Sequence, residues 1–146
     1  MVWKIVKSSV KIGCLIHVVF EHVMDVVWCR GPSMEPTIWS DNVVLCDHIT
    51  PRYRGIRAGD IVISRSVTKP DGNVCKRVKG LPGDFVVTDF SFVRVPTGHV
   101  WLEGDNHKNS TDSRTYGPVP MALIRGRVLC RIWPLSDFCV FNSSKS

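Results

Sequence analysis

Short apolar runs, each closed off by Gly, Pro, Asp or Asn, recur from residue 42 to residue 133. They read "NVVLCD", "DIVISR", "NVCKRVKG", "DFVVTD", "HVWLEGD" and "GRVLCRIW". β-Branched and aromatic side chains suit a pleated, half-buried surface, and the flanking residues suit turns, so these runs predict strands. They follow one another at intervals of about ten to twenty residues with no amphipathic helix between them. Parallel βαβ units are thereby excluded, and a mainly β fold is expected, a small antiparallel β-sandwich or open barrel. Only "MALIRG", after "GPVP", has the makings of one short helical turn before the last strand. At 146 residues and 44% hydrophobic, the chain suffices for one domain with a core of its own.

The N-terminal stretch "MVWKIVKSSVKIGCLIHVVFEHVMDVVWC" breaks the pattern. It opens with Lys4, Lys7 and Lys11 and turns apolar, as a signal peptide or signal anchor does, but no small-x-small cleavage site closes it, so it is expected to be retained. Its apolar core, Ile12 to Phe20 broken by His17, is shorter than the roughly 20 residues that span a bilayer. On a helix Lys7, Lys11, Glu21 and Asp25 fall near one stripe. The segment therefore reads as a spanning anchor, an interfacial helix or a helix docked on a partner. The expected division is an anchor helix over residues 1–28 and a β-rich domain over residues 29–146.

Nineteen Lys and Arg against 13 acidic residues give a net charge of +6. The bases are scattered from Lys4 to Lys145 without aromatic interleaving, so no nucleic-acid partner is expected, whereas a modest affinity for anionic lipid is. The six cysteines form no CxxC pair and no zinc spacing, so no metal or other cofactor is expected. Cys46, Cys75 and Cys130 lie inside apolar runs and read as reduced, buried thiols.

"GPSMEPTI", Gly31 to Ile38, sets one serine between two prolines just ahead of the first strand. As a nucleophile Ser33 needs a base. His17 and His22 lie in the anchor, and His48, His99 and His107 have no acidic company to orient an imidazole, so they read as turn or solvated residues. Lysine does the same work if burial keeps it neutral. In "NVCKRVKG" the two-residue period of a strand puts Val74, Lys76 and Val78 on one face and Cys75, Arg77 and Lys79 on the other. Lys76 is thus the base with apolar neighbours on its own face; a snorkelling edge-strand lysine fits the same spacing. Burying it is expensive, because each pKa unit of lowering costs about 1.4 kcal/mol near neutral pH. The loop from Glu103 to Pro120 is too long and polar for a hairpin turn. Ser110 offers a hydroxyl to the lysine and Asp112 with Arg114 a local ion pair, while a solvated Asx-rich loop is the plainer reading.

Taken in order, "GPSMEPTI", "GDIVI" at Gly59 to Ile63, "CKRVKGLPGD" at Cys75 to Asp84 and "GDNHKNSTDSRTYGPVP" at Gly104 to Pro120 resemble the motif boxes of the type I signal peptidase family. The resemblance runs from Trp28 to Trp133, and the small size and the tail "GRVLCRIWPLSDF" look most like its mitochondrial inner membrane branch, of the subunit 1 type. It implies a membrane-anchored serine endopeptidase with a Ser/Lys dyad, in which Ser33 is the nucleophile and Lys76 the general base. Ser110 matches the hydroxyl that orients the lysine, Asp112 and Arg114 a supporting ion pair, and Gly104, Asp105 and Asn106 a structural turn. The backbone N–H of Ser33 is the first oxyanion donor. Gly31 stands where many bacterial members carry a hydroxyl side chain, so the second donor must be another group. Their large extra β domain is absent, and "FCVFNSSKS" is too short and polar for a second anchor. The resemblance further implies a catalytic domain in the intermembrane space, attached to inner membrane lipid. Its substrates would be protein precursors with cleavable sorting signals, and its partner a related second catalytic subunit. A catalytically silent scaffold subunit is the alternative.

Overall fold

The computed structural model describes residues 1–88 and 91–142. The Glu21 side chain of the expected helical stripe, Asp89 of the "DFVVTD" run and Lys145 lie outside the described residues. The strands are β1 (Met24–Trp28), β2 (Val43–Asp47), β3 (Ile61–Arg65), β4 (Asn73–Gly80), β5 (Phe85–Val87), β6 (Phe92–Arg94), β7 (His99–Glu103), β8 (Val119–Pro120), β9 (Ile124–Trp133) and β10 (Cys139–Val140). Three short or isolated helices accompany them: α1 (Val2–His22), α2 (Ile49–Tyr53) and α3 (Ser113–Tyr116). "MALIRG" contributes a single 3-10 turn at Met121–Leu123, as its pattern predicts.

The fold is mainly β and antiparallel. One sheet runs in the order β1-β2-β9-β3-β4-β7-β8, with β10 added beside β9, while β5 and β6 form a separate hairpin. The sheet is open and curled into a half-barrel. Register shifts between Val43 and Val44, Leu45 and Cys46, Ile63 and Ser64, and Val78 and Gly80 mark where extra residues bend the strands and tighten the twist. Apolar side chains cover both faces at the centre: Ile61 and Ile63 of β3 join Cys29, Met34, Ile38, Val44, Cys46 and Val128, and the intervening Val62 joins Ile56, Val78, Val100, Leu102 and Val119. β3 is therefore buried on both sides, which is why its sequence is a continuous apolar run rather than an alternating one.

The N-terminal segment departs from the expectation. The helix ends at His22, and Met24–Trp28 instead form an edge strand paired with β2, Asp25 opposite Cys46 and Trp28 opposite Val43. β2 would otherwise present an unpaired row of backbone groups, and the β-branched Val26 and Val27 fit that edge better than another helical turn. α1 leaves the sheet with Trp3, Ile5, Val10, Leu15 and Ile16 exposed. Among the described residues no helix is long and apolar enough to cross a membrane. All six cysteines are free thiols; of the three read as buried, Cys46 is buried while Cys75 and Cys130 are half-buried, and Cys14 and Cys139 are exposed.

Where the β5–β6 hairpin crosses the sheet, Gly80 has no room for a side chain. A Cβ there would lie 2.7 Å from Val86 Cγ2, 3.1 Å from Val95 Cγ2 and 3.2 Å from Trp101 Cβ. Gly80→Ala is expected to destabilise the domain by about 1–3 kcal/mol, since valine and tryptophan side chains must shift to admit the methyl group. Chemical denaturation of the full chain checks this; an unchanged midpoint would mean the hairpin does not press on β4.

Candidate active site

β4 carries Lys76 into the middle of the sheet. It pairs with the buried Val62, shares the chain face of Val78, and is itself 3% exposed. The alternation of the strand places it there as expected, and the snorkelling alternative is excluded by its burial. The Lys76 amine is not left unsatisfied, because Nζ donates to Ser110 Oγ at 2.7 Å. Ser110 in turn donates to Asp112 Oδ2 at 2.7 Å. Asp112 is fully buried and also accepts from the Gly104 N–H at 2.9 Å and from Nε and Nη2 of Arg114, each at 2.9 Å. Local chain geometry builds this cluster. A 3-10 turn at His107–Asn109 ends in the extended Ser110, and Asp112 caps the N-terminus of α3 by accepting the Arg114 N–H.

The charges in this cluster oppose one another in a definite order. Burial lowers the Lys76 amine below the ordinary lysine range; the Asp112 carboxylate pulls it back up, and the Arg114 charge adds to the lowering. Burial alone would raise Asp112, but hydrogen bonds from Arg114, Gly104 and Ser110 outweigh it and hold the carboxyl at about 2. An ionised Asp112 keeps the Ser110 proton for itself, so the Ser110 oxygen faces the amine as an acceptor. That leaves the lone pair of a neutral Lys76 free.

Ser33 lies on a half-buried turn pinned by Met34 and Ile38, which are 2% and 1% exposed. The turn is closed by the Ile38 N–H on the Met34 carbonyl at 2.9 Å, and the Ser33 carbonyl accepts from the Asn106 N–H at 3.0 Å. A side chain at Gly104 would overlap both Ser110 Oγ and that Ser33 carbonyl. Gly104 is thus the point where the serine turn and the lysine cluster converge. It is required for close approach, whereas the turn assignment explains Gly117, whose φ is 86°. Among the described residues neither Ser33 Oγ nor the Ser33 N–H makes a hydrogen bond, with Lys76 or with any other group. Both remain available to a substrate.

A second ion pair was not legible in the sequence. Arg77, on the strand face opposite Lys76, donates from Nε and Nη2 to the two oxygens of Asp105 at 2.8 and 2.6 Å and from Nη1 to the Gly59 carbonyl at 2.9 Å. Asp105 also accepts from Thr37 Oγ1, four residues beyond Ser33. Asp105 therefore fastens the serine turn to the lysine strand and is more than a turn residue. The signal that could have found it is the charged pair itself, an Arg next to Lys76 and an Asp next to Gly104.

The remaining polar residues are engaged elsewhere. His48 Nδ1 pairs with the Arg125 carbonyl, His99 Nδ1 with the Thr97 carbonyl, and His107 Nδ1 accepts from Arg114 Nη1 at 2.9 Å. None of them contacts Ser33. In front of Ser33 opens a cleft of about 220 Å³ whose walls come from Val27 to Gly31 on one side and Asn73 to Cys75 on the other. Met34, Ile38 and Ile63 form its apolar floor. The arrangement offers an extended peptide two strand edges and shallow apolar pockets beside a free serine hydroxyl.

A family model described as signal peptidase, peptidase S26, matches residues 2–91 and 87–133. The chain belongs to the signal peptidase family S26. Relatives named mitochondrial inner membrane protease subunit 1 are 51% identical in Homo sapiens, over 97% of this chain and 89% of the relative, and 41% identical in Schizosaccharomyces pombe, over 87% and 85%. A mitochondrial inner membrane protease subunit 2 from Danio rerio is 39% identical over 81% of this chain and 69% of the relative. A looser likeness is the crystal structure of a signal peptidase I from Enterococcus faecalis, with TM-score 0.43 and 22% identity over 49% of this chain and 95% of that one. Gly31 stands two residues before Ser33. Its φ is 98° and its Cα faces open space, a backbone conformation that a residue with a hydroxyl side chain adopts only with strain. Its own N–H is already given to Ser40 Oγ at 3.2 Å.

Because Asp112 is held at about 2 against an ordinary value of 3.8, the folded state gains about 2 kcal/mol wherever the unfolded carboxyl is ionised. The sign follows from the depressed value: the gain is complete above about pH 4 and is lost as pH falls through about 2. Arg114→Gln removes the largest of the lowering contacts, so its acid unfolding midpoint should move to higher pH while stability at pH 7 drops by about 1–3 kcal/mol. Circular dichroism against pH reads both; an unmoved acid midpoint would show that Arg114 does not set the ionisation of Asp112.

Proposed function

We propose that this chain is a membrane-attached serine endopeptidase that removes sorting peptides from precursors delivered to the mitochondrial intermembrane space. The observation that carries the reading is a lysine amine buried to 3% exposure, hydrogen-bonded to Ser110 and gathered with the Ser33 turn around Gly104. Family membership supports peptide-bond hydrolysis, and the names of the relatives support the mitochondrial inner membrane.

The chemistry follows from the parts. A precursor lies extended in the cleft, and neutral Lys76 takes the Ser33 proton as Oγ attacks the scissile carbonyl. The Ser33 N–H, free of other partners, is placed to donate to the developing oxyanion. Lys76, now an ammonium, protonates the leaving amine and then draws a proton from the water that hydrolyses the acyl-enzyme. Ser110 holds the amine throughout, and Asp112 and Arg114 hold Ser110. Arg77 and Asp105 fix the separation of the two strands that carry serine and lysine.

α1, with its exposed apolar side chains, is the membrane attachment in this reading, with the catalytic domain in the intermembrane space. A related catalytic subunit is the partner, in keeping with relatives named as subunits 1 and 2. A catalytically silent scaffold would have no use for a buried amine, whose replacement by an apolar residue relieves a desolvation cost.

Substrate processing by complexes containing wild type, Ser33→Ala or Lys76→Met tests the dyad. Each variant should assemble and lose processing by about a thousandfold or more. Lys76→Met should also gain about 1 kcal/mol at neutral pH, a rise of about 3 °C in melting temperature. That gain should shrink as pH rises from the lowered folded-state value of Lys76 and vanish near the unfolded value of about 10.4, above which both states hold a neutral amine. Assembled variants that still process would overturn the dyad.

A further inference from the structure

Strand register brings one end of the sheet together. Met24 pairs with Asp47, Asp47 with Arg127, Ser64 with Ile124 and Arg65 with Asn73, so the starts of β1, β9 and β4 and the ends of β2 and β3 lie side by side. α1 leaves the domain from this same end, where the Val23 carbonyl accepts the His48 N–H at 2.9 Å immediately before α2. The start of α2 is tied down by Asp47 Oδ1, which accepts from the Ile49 and Thr50 N–H groups.

This end is basic, with its arginines outnumbering the two carboxylates near them, Asp71 and the Asp47 that ties down α2. A groove of about 480 Å³ is lined by His48, Arg52, Arg65 and Arg125 together with Leu123 and Ile124. It adjoins a smaller one of about 200 Å³ between Arg65, Arg125 and Asp71. Asp71 is the one carboxylate in either lining. Arg52, Arg65 and Arg125 are exposed, and none of the three guanidinium groups has a partner among the described residues. Ile49 and Tyr53, four residues apart on α2 and so on one side of it, are 40% and 81% exposed beside them.

We propose that this end of the sheet is a footing on the membrane, in which Arg52, Arg65 and Arg125 bind the phosphate groups of anionic phospholipid and Ile49 and Tyr53 enter the interface. The inference rests on α1 as the membrane attachment. Three unpaired guanidinium groups match phosphate, and an aromatic and an aliphatic residue beside them match the boundary between headgroups and acyl chains. A soluble phosphate would leave Ile49 and Tyr53 unexplained. Continuity with the exposed apolar side chains of α1, which emerge from the same end, favours a lipid surface over an acidic protein. The footing would fix the tilt of the domain, and with it the height of the cleft above the bilayer.

The test is partition of the full chain into vesicles of neutral phosphatidylcholine and into vesicles with about a third phosphatidylglycerol, where each basic residue at the surface adds about fivefold. Anionic vesicles should bind about a hundredfold more tightly, and Arg52→Gln/Arg65→Gln/Arg125→Gln should erase that preference while keeping the binding to neutral vesicles that α1 provides. The same positions changed to Lys should retain most of it, which separates lost charge from lost fold. A triple Gln variant that keeps the preference overturns the proposal. So does loss of the preference in Lys4→Gln/Lys7→Gln/Lys11→Gln instead, which assigns it to α1, and so does an absent preference in wild type, which leaves the patch to an acidic protein. Failure to bind neutral vesicles, with the arginine-dependent preference intact, would refute the α1 attachment and uphold the footing.

Discussion

The hydrogen bond from Lys76 to Ser110 is the contact on which the rest of the site depends. An amine at 3% exposure is tolerated because it has one fixed acceptor and because burial favours its neutral form. The acceptor is fixed only because Asp112 holds the Ser110 proton, and Asp112 is ionised only because Arg114, Gly104 and Ser110 donate to it. Removing Ser110 leaves the buried Lys76 amine without its acceptor, whereas Asp112 keeps further donors whichever one is lost. The half-barrel serves this chain of donors: the bulge between Val78 and Gly80 and the close approach at Gly104 bend the lysine strand and the serine turn towards each other.

What was legible in the sequence was whatever repeats with a short period. The run "NVCKRVKG" alternates, so the burial of Lys76 beside Val78 follows from the strand alone, and the apolar run of β3 announces a central strand. Ser33 as the candidate nucleophile, by contrast, needed the ordered motif boxes, since a serine between prolines has no period to read. β1 was hidden because "MDVVW" continues the apolar character of α1. Only the open edge of β2, a tertiary fact, turns it into a strand.

Long-range side-chain pairs were not legible at all. Arg77 and Asp105 are 28 residues apart, and nothing in either local pattern states that the pairing of β4 with β7 sets them face to face. Gly104 read as a turn glycine because turns are the usual reason for one; its actual constraint is the Ser33 carbonyl and the Ser110 hydroxyl on either side. Arg52, Arg65 and Arg125, scattered along the chain, become a single patch only when three strand ends meet.

The cleft, the buried amine and the basic end of the sheet fit the proposed geometry, in which a membrane-attached domain would meet an extended peptide beside a serine whose base is a lysine lowered by burial. The central claim is the state of that base. Titration of the Lys76 Nζ resonance by heteronuclear NMR in the full chain measures it directly. The account predicts a midpoint clearly below the ordinary lysine value of about 10.4. A Lys76 midpoint at or above that ordinary value would contradict it.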